Sequence, residues 1–280
     1  MSATAAAPVC DHALVQPVLV AHRGASAHRA EHTLRAYELA LQQGATGLEC
    51  DVRVTRDGHL VCLHDRRVDR TSTGSGVVSE LTLDELTRLD FAHWHDEWPD
   101  SAEELIAQRA ARPRGSPGVL TLPDLLGLVR DHADPVLLFV ETKHPVRYGG
   151  LVEARLRDTL QHFGLADPRT RRESPVVMMS FSSRAVRRFR SVAPAIPTVL
   201  LFADFSAARR SGALPQEADI AGPSIALLRA DPGYVARAAA RGHETYCWTV
   251  DRPADVRLCH RLGVAYVATN TPASAHRLLR

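Results

Sequence analysis

Nine short apolar runs recur along this chain, and most are followed by an amphipathic or alanine-rich stretch of helical length. They are VLVA (18–21), GLECDV (47–52), LVCLH (60–64), VLLFVE (136–141), VVMMS (176–180), TVLLF (198–202), SIALL (224–228), TYCWTV (245–250) and AYVAT (265–269). Strands that alternate with helices build parallel βα units. Near-continuous apolar runs, rather than alternating ones, are what strands covered on both faces require.

The helix punctuation agrees. Thr33 precedes LRAYELALQQ, which stops at Gly44; Asp231 and Pro232 open a helix ending near Gly242; Arg252 and Pro253 open another ending near Gly263. Thr82 and Glu85 have capping-box spacing. Over 150–163, Leu151, Val152, Leu156, Leu160 and Phe163 share one stripe, so Glu153, Arg155 and Arg157 are expected to face away.

Nine strands overfill an eight-stranded barrel by one, so one is a hairpin partner or lies outside it. The turn TRDGH (55–59) is too short for a parallel crossover and reads as a hairpin centred on Asp57-Gly58. Counting outward places Asp51 opposite His64. Residues 66–120 break the rhythm with TSTGSG, one short helix, FAHWHDEWPD and RPRGSPG. The expected architecture is a single TIM (β/α)8 barrel over 1–280, with about 66–120 as an insertion at the C-terminal face of the strands; 280 residues suit one such domain.

Composition narrows the function classes. With 45% hydrophobic and 24% charged residues the chain is an ordinary globular one, not a disordered or collagen-like one. A net charge of +2 gives no electrostatic footprint for nucleic acid or an anionic membrane, and RRFR (187–190), the densest basic cluster, reads as a solvated helix face. The start MSATAAAPVCDHALVQP has no basic beginning and no long apolar stretch, and no run approaches a membrane span, so a soluble cytoplasmic protein without stable membrane association is expected. The five cysteines lack CxxC spacing; Cys50, Cys62 and Cys247 fall inside apolar runs and read as small buried hydrophobes, which argues against disulfides or a thiolate zinc site.

Chemistry-bearing residues collect at strand ends. Alternate strand residues share a face, so Glu49 and Asp51 point one way, as do Glu141 and Lys143. Inward carboxylates are costly unless a cation compensates them, and three together make a hard oxygen site suited to Mg²⁺ or Ca²⁺. Each piece alone has a plain structural reading: a solvated strand face, an ion pair, a turn, a strand cap. Their joint placement at the C-terminal ends of apolar strands, where barrel active sites form, points to catalysis.

That joint pattern resembles the glycerophosphodiester phosphodiesterase family. The matching pieces are HRG (22–24), AEHT (30–33), ECDV (49–52), TRDGHLVCLHD (55–65), RTSTGSG with the following LTLDEL, LTLPDLL (120–126), ETK (141–143), SFSS (180–183), WTVD (248–251) and TNTP (269–272). The resemblance implies a TIM barrel that hydrolyses glycerophosphodiesters to glycerol 3-phosphate and an alcohol with a divalent metal. It makes Glu49, Asp51 and Glu141 metal ligands, with Glu31 a further ligand or an acceptor behind them. Arg23 and Lys143 would hold the phosphate, and His22 and His64 would be general base and acid in either order. Phe181 and Trp248 match aromatic positions that would wall the substrate pocket.

The chain departs from the family pattern at His32, where Asn is usual, and at Asn270, where Asp is frequent. His93, His95 and Asp96 read as a surface loop. Two alternatives are a lysophospholipase D acting on longer lipids and a phosphate-binding homologue without catalysis; retention of both histidines argues against the second.

Overall fold

A computed structural model of the chain describes residues 16–95, 118–146 and 149–280. Its strands are β1 (Val18–His22), β2 (Gly47–Val54), β3 (Leu60–Cys62), β4 (Leu137–Thr142), β5 (Val176–Ser180), β6 (Thr198–Phe202), β7 (Ile220–Pro223), β8 (Glu244–Cys247) and β9 (Tyr266–Thr269). The neighbour order β1-β9-β8-β7-β6-β5-β4-β2 and the pairing of β1 with β2 close eight parallel strands into a ring. The interleaved helices are α1 (Leu34–Gln42), α2 (Leu83–Thr87), α3 (Leu122–Asp131), α4 (Leu151–His162), α5 (Ser183–Val192), α6 (Ala207–Arg210), α7 (Ile225–Ala230), α8 (Tyr234–Ala239), α9 (Pro253–Leu262) and α10 (Pro272–Leu279). This is a TIM barrel, as the strand and helix alternation requires.

Local chemistry sets the element ends. Thr33 caps α1 by accepting from the Ala36 N–H, Thr82 and Glu85 form the reciprocal capping box of α2, and Gly263 ends α9 in the left-handed region. Inside the barrel, Val20, Phe139, Val177, Met179, Val199, Leu201, Ile220, Tyr246 and Ala268 fill the lumen. Cys50, Cys62, Cys247 and Cys259 are buried free thiols. The basic cluster of α5 is engaged locally, Arg187 with Glu217, Arg188 with Glu153 and Arg190 with Asp219.

Three expectations need correction. SIALL is not a strand: β7 is the preceding IAGP (220–223), and Ile225–Ala230 is helical. A short apolar run has no period that separates strand from buried helix, and Gly222 and Pro223 disguise the real strand. Gly222 is needed there, because a Cβ would come 2.9 Å from the Leu200 carbonyl oxygen. Glu153 does not face away; it is buried, its Oε1 2.7 Å from His144 Nε2, because the first turn of α4 abuts the segment leaving β4.

The third concerns the hairpin. Strand β3 pairs antiparallel to β2 with Val52 opposite Cys62 and Val54 opposite Leu60, and the Leu63 N–H donates to the Asp51 carbonyl. Asp51 therefore faces Leu63, not His64. The connection is a three-residue loop, Arg56-Asp57-Gly58, with Gly58 at φ +87°, rather than a two-residue turn, and that shifts the register by one. His64 lies beyond the last ladder pair, which leaves its ring free to enter the barrel mouth.

Candidate active site

Register brings the carboxylates together before any side chain is considered. His22 on β1 is paired with Glu49 on β2, and Asp51 on β2 with Glu141 on β4. Paired residues of adjacent strands point the same way, so three neighbouring strands aim His22, Glu49, Asp51 and Glu141 at the C-terminal end of the lumen. One carboxylate oxygen from each of Glu49, Asp51 and Glu141 lies within 4.8 Å of the others, and all three residues are buried.

The loop from β1 to α1 is folded tightly over this cluster. Arg23 and His32 both adopt positive φ, at 59° and 58°, and Gly24 between them has φ 85° with a would-be Cβ 2.6 Å from the Ala36 carbonyl carbon. A left-handed conformation costs a non-glycine residue about 1–2 kcal/mol, so the surroundings hold it in place. The Arg23 N–H donates to Glu49 Oε2 at 3.0 Å, and the His32 N–H donates to the Arg23 carbonyl at 3.1 Å. Strain is thus concentrated where the loop meets the cluster.

Cations surround the carboxylates. Arg23 Nε is 3.0 Å from Asp51 Oδ2; Lys143 Nζ is 3.3 Å from Asp51 Oδ1 and 2.8 Å from Glu141 Oε1. His32 bridges Asp51 Oδ2 at 3.0 Å and the Tyr37 hydroxyl at 2.8 Å, and that hydroxyl donates to the Glu49 carbonyl. Burial opposes ionisation of Asp51, but the His32 hydrogen bond and the Lys143 charge hold its carboxyl well below the usual range. Burial and then the Asp51 charge push Glu49 well above it and Glu141 up to about 8. Three hard oxygen donors crowded so that two of them resist ionisation fit a divalent cation, whose ligands at roughly 2.5 Å can stand about 5 Å apart.

The two histidines are held in different ways. Asn270 donates through Nδ2 to Asp251 Oδ2 at 2.8 Å, which turns its Oδ1 toward His22 Nδ1 at 2.8 Å. His22 must therefore donate from Nδ1, and its Nε2 is an acceptor 4.0 Å from Glu49 Oε2. Burial, reinforced by the Arg23 charge, lowers His22 to about 4 and keeps it neutral. His64 Nδ1 is 2.7 Å from Asp65 Oδ1, and Arg53 grips the His64 carbonyl through two N–H groups. Burial lowers His64 too, while Asp51 and Asp65 oppose that shift.

His22, Arg23, Glu49, His64, Glu141, Lys143, Phe181 and Trp248 all line one open cleft. Phe181 and Trp248 meet edge to face at 5.2 Å on its far wall. Glu31 stands outside the carboxylate trio: its oxygens take hydrogen bonds from Arg23 and Arg70, which bring it down to about 2 against the opposing effect of burial. Met179, Leu201 and Tyr246 also line the cleft. They are strand residues with no chemical signature in the sequence, and the supports Tyr37 on α1, Arg53 on β2 and Asp251 after β8 act through contacts that the sequence pattern does not show. His93 and His95 belong to no group of three potential ligands among the described residues, and Asp96 lies outside those residues.

Comparison with known proteins bears on this cleft directly. The model of the glycerophosphoryl diester phosphodiesterase family matches residues 22–274. A Mycobacterium tuberculosis protein named probable glycerophosphodiester phosphodiesterase 1 is 51% identical over 259 residues, which cover 91% of this chain and 90% of that one. Glycerophosphodiester phosphodiesterase of Bacillus subtilis is 31% identical, with 92% and 85% covered. Among solved structures, glycerophosphodiester phosphodiesterase from Agrobacterium tumefaciens superposes with a TM-score of 0.72 at 25% identity, covering 93% of this chain and 99% of that one. An Oleispira antarctica phosphodiesterase shares the fold with a TM-score of 0.78 at 21% identity, covering 94% and 96%.

Proposed function

The chain belongs to the glycerophosphoryl diester phosphodiesterase family, and on that premise we propose that it hydrolyses glycerophosphodiesters to glycerol 3-phosphate and an alcohol at this cleft, with a divalent cation, Mg²⁺ or Ca²⁺, held by Glu49, Asp51 and Glu141. The observation that carries the reading is the buried carboxylate trio within 4.8 Å, flanked in one cleft by two imidazoles, a guanidinium and an ammonium. A cation bound there would supply Lewis-acid stabilisation of phosphate charge. Arg23 and Lys143 bind the phosphoryl oxygens, the first with a planar fork and the second as a point charge.

The histidines divide the proton work. The glycerol hydroxyl next to the phosphoester attacks phosphorus and gives its proton to His22 Nε2, the acceptor that the orientation of Asn270 leaves open. As the bond from phosphorus to the alcohol oxygen breaks, His64 Nε2–H protonates that oxygen; its Nδ1–H rests on Asp65. Water then opens the cyclic phosphate, giving its proton to His64 while His22 returns one to the glycerol oxygen. Both imidazoles end as they began.

Glu31 serves as the anionic acceptor for Arg23 and not as a ligand, since two guanidinium groups already occupy its oxygens. Phe181 and Trp248 wall the alcohol side. Among the described residues the exposed large hydrophobics are Leu34, Phe181 and Val192, so the described mouth carries one exposed ring and not the broad apolar rim a long lipid would favour. No helix among these residues is long and apolar enough to cross a membrane.

Phosphorus NMR of glycerophosphocholine, glycerophosphoethanolamine and glycerophosphoglycerol incubated with the protein and Mg²⁺ or Ca²⁺ should show glycerol 3-phosphate as the final phosphorus species. Appearance of phosphocholine in its place would mean that the other phosphoester bond breaks, and the mechanism above would be wrong.

A further inference from the structure

The residue that joins the two halves of the site lies outside the cleft. Arg70, on the segment after β3, donates from Nε to Asp65 Oδ2 at 2.6 Å, from Nη1 to Glu31 Oε2 at 3.0 Å and from Nη2 to Glu31 Oε1 at 2.7 Å. The second oxygen of Asp65 orients His64 Nδ1 at 2.7 Å, and Glu31 Oε1 also takes the Arg23 Nη1–H at 3.2 Å. A continuous chain of charged hydrogen bonds therefore runs His64–Asp65–Arg70–Glu31–Arg23. Its ends are one candidate proton carrier and one candidate phosphate binder.

We propose that Arg70 is a positioning residue for His64, acting by fixing Asp65 through the same planar fork that clamps Glu31. Asp65 is the immediate chain neighbour of His64 and its side chain is about a third exposed, at 32%. Alone it can swing with the loop, and the His64 ring would follow. The guanidinium ties that carboxylate to Glu31, whose side chain is only 12% exposed and which is held again by Arg23. The Trp94 ring, with its centroid 6.0 Å from Arg70 Cζ, packs near the other side. Lysine, a compact charge without the planar fork, cannot hold both carboxylates in one plane. Because the Arg70 side chain is 45% exposed, its ion pairs contribute little to folding stability. Misdirection of a proton carrier, by contrast, is felt strongly in the rate.

The proposal rests on His64 taking part in the reaction proposed above, and the test separates the two ideas. R70M, R70K, H64A and the double variant R70M/H64A are assayed with glycerophosphocholine in metal-supplemented buffer, and the histidine side-chain ¹⁵N signals of wild type and R70M are recorded. R70M should lower kcat about tenfold with KM changed less than about threefold, the scale typical of lost orienting partners. In the H64A background the same substitution should cost less than about twofold, the non-additivity of groups acting as one unit. R70K should resemble R70M. In the spectra of R70M the His64 ring should lose its fixed Nδ1–H tautomer while His22 keeps its own. Equal cost of R70M in both backgrounds, or unchanged His64 ring signals, would overturn the proposal. If the wild type hydrolyses no diester, the functional reading fails while the ring signals still decide whether Arg70 orients His64.

Discussion

Glu141→Gln should abolish turnover and leave the metal-free barrel at least as stable as the wild type. Both outcomes follow from the proposed metal site. Glu141 is one of three buried carboxylates within 4.8 Å, and an amide in its place cannot contribute the charge that holds a divalent cation. Loss of that electrostatic stabilisation, several kcal/mol, lowers kcat by about 10³-fold or more. Stability moves the other way because burial and the Asp51 charge push the Glu141 carboxyl from 4.5 up to about 8 in the folded protein. A carboxyl whose folded value is raised costs nothing below pH 4.5, and costs progressively more as the pH rises from there through about 8. The metal-free wild type should therefore lose stability across that window, and E141Q should lose less of it. E49Q should behave alike, since Glu49 is also pushed up.

Asp51 is the contrasting case. Its carboxyl is held down by His32 and Lys143, so it contributes stability above the ordinary 3.8, and that contribution is lost only as pH falls well below it. D51N should abolish turnover and also lower the melting temperature at neutral pH. Thermal melts from pH 4.5 to 8 beside steady-state assays check both. E141Q turnover within tenfold of the wild type would remove Glu141 from the machinery.

Replacement of either histidine should cost about 10²–10⁴-fold in kcat on glycerophosphocholine, the usual range for a lost general acid or base. The two variants should part company on a glycerophosphoryl p-nitrophenol diester, which retains the attacking glycerol hydroxyl but carries a leaving group that needs no proton. H64A should recover most of its activity there, because the step it serves no longer limits. H22A should stay impaired, because the attacking hydroxyl still has to lose its proton to Nε2. The assignment follows from the Asn270 amide, which is locked by Asp251 and leaves His22 Nε2 an acceptor, whereas the His64 Nδ1–H rests on Asp65 and leaves Nε2 to face the leaving alcohol. Recovery of H22A alone would reverse the two roles, and equal losses on both substrates would give the rings a shared binding role instead.

The barrel and the convergence of the charged residues at its mouth were legible because both rest on short-range rules. Period-two alternation on β2 and β4 puts Glu49 with Asp51 and Glu141 with Lys143, and the parallel register of β2 and β4 then merges the pairs. The β7 strand was hidden because IAGP carries the two residues that strand propensity disfavours, while the apolar SIALL beside it is helical. The hairpin register slipped by one because loop length depends on whether the left-handed glycine closes a two- or a three-residue turn. Glu153 looked outward on its own helix because the helical pattern cannot register that His144 approaches from another element. The supports of the site are hydrogen bonds with no periodic trace, Asp251 to Asn270 across 19 residues and Arg70 to Asp65 across five and to Glu31 across 39. Only the folded chain reveals them.

The proposed chemistry stands or falls on whether the carboxylate trio binds a divalent cation on which diester hydrolysis depends. Titrating chelator-stripped wild-type protein with Mg²⁺ or Ca²⁺, with proton release followed in the absence of substrate and glycerophosphocholine hydrolysis in parallel samples, decides it. Because Glu49 and Glu141 hold protons more readily than ordinary carboxyls in the metal-free protein, cation binding should expel protons near neutral pH, and apparent affinity should rise with pH up to about 8. The stripped protein should show no hydrolysis, and turnover should rise with metal and saturate over the same metal concentrations as the substrate-free proton release. Full hydrolysis by the stripped protein, or metal that restores turnover while releasing no protons in the substrate-free titration, would rule this reading out.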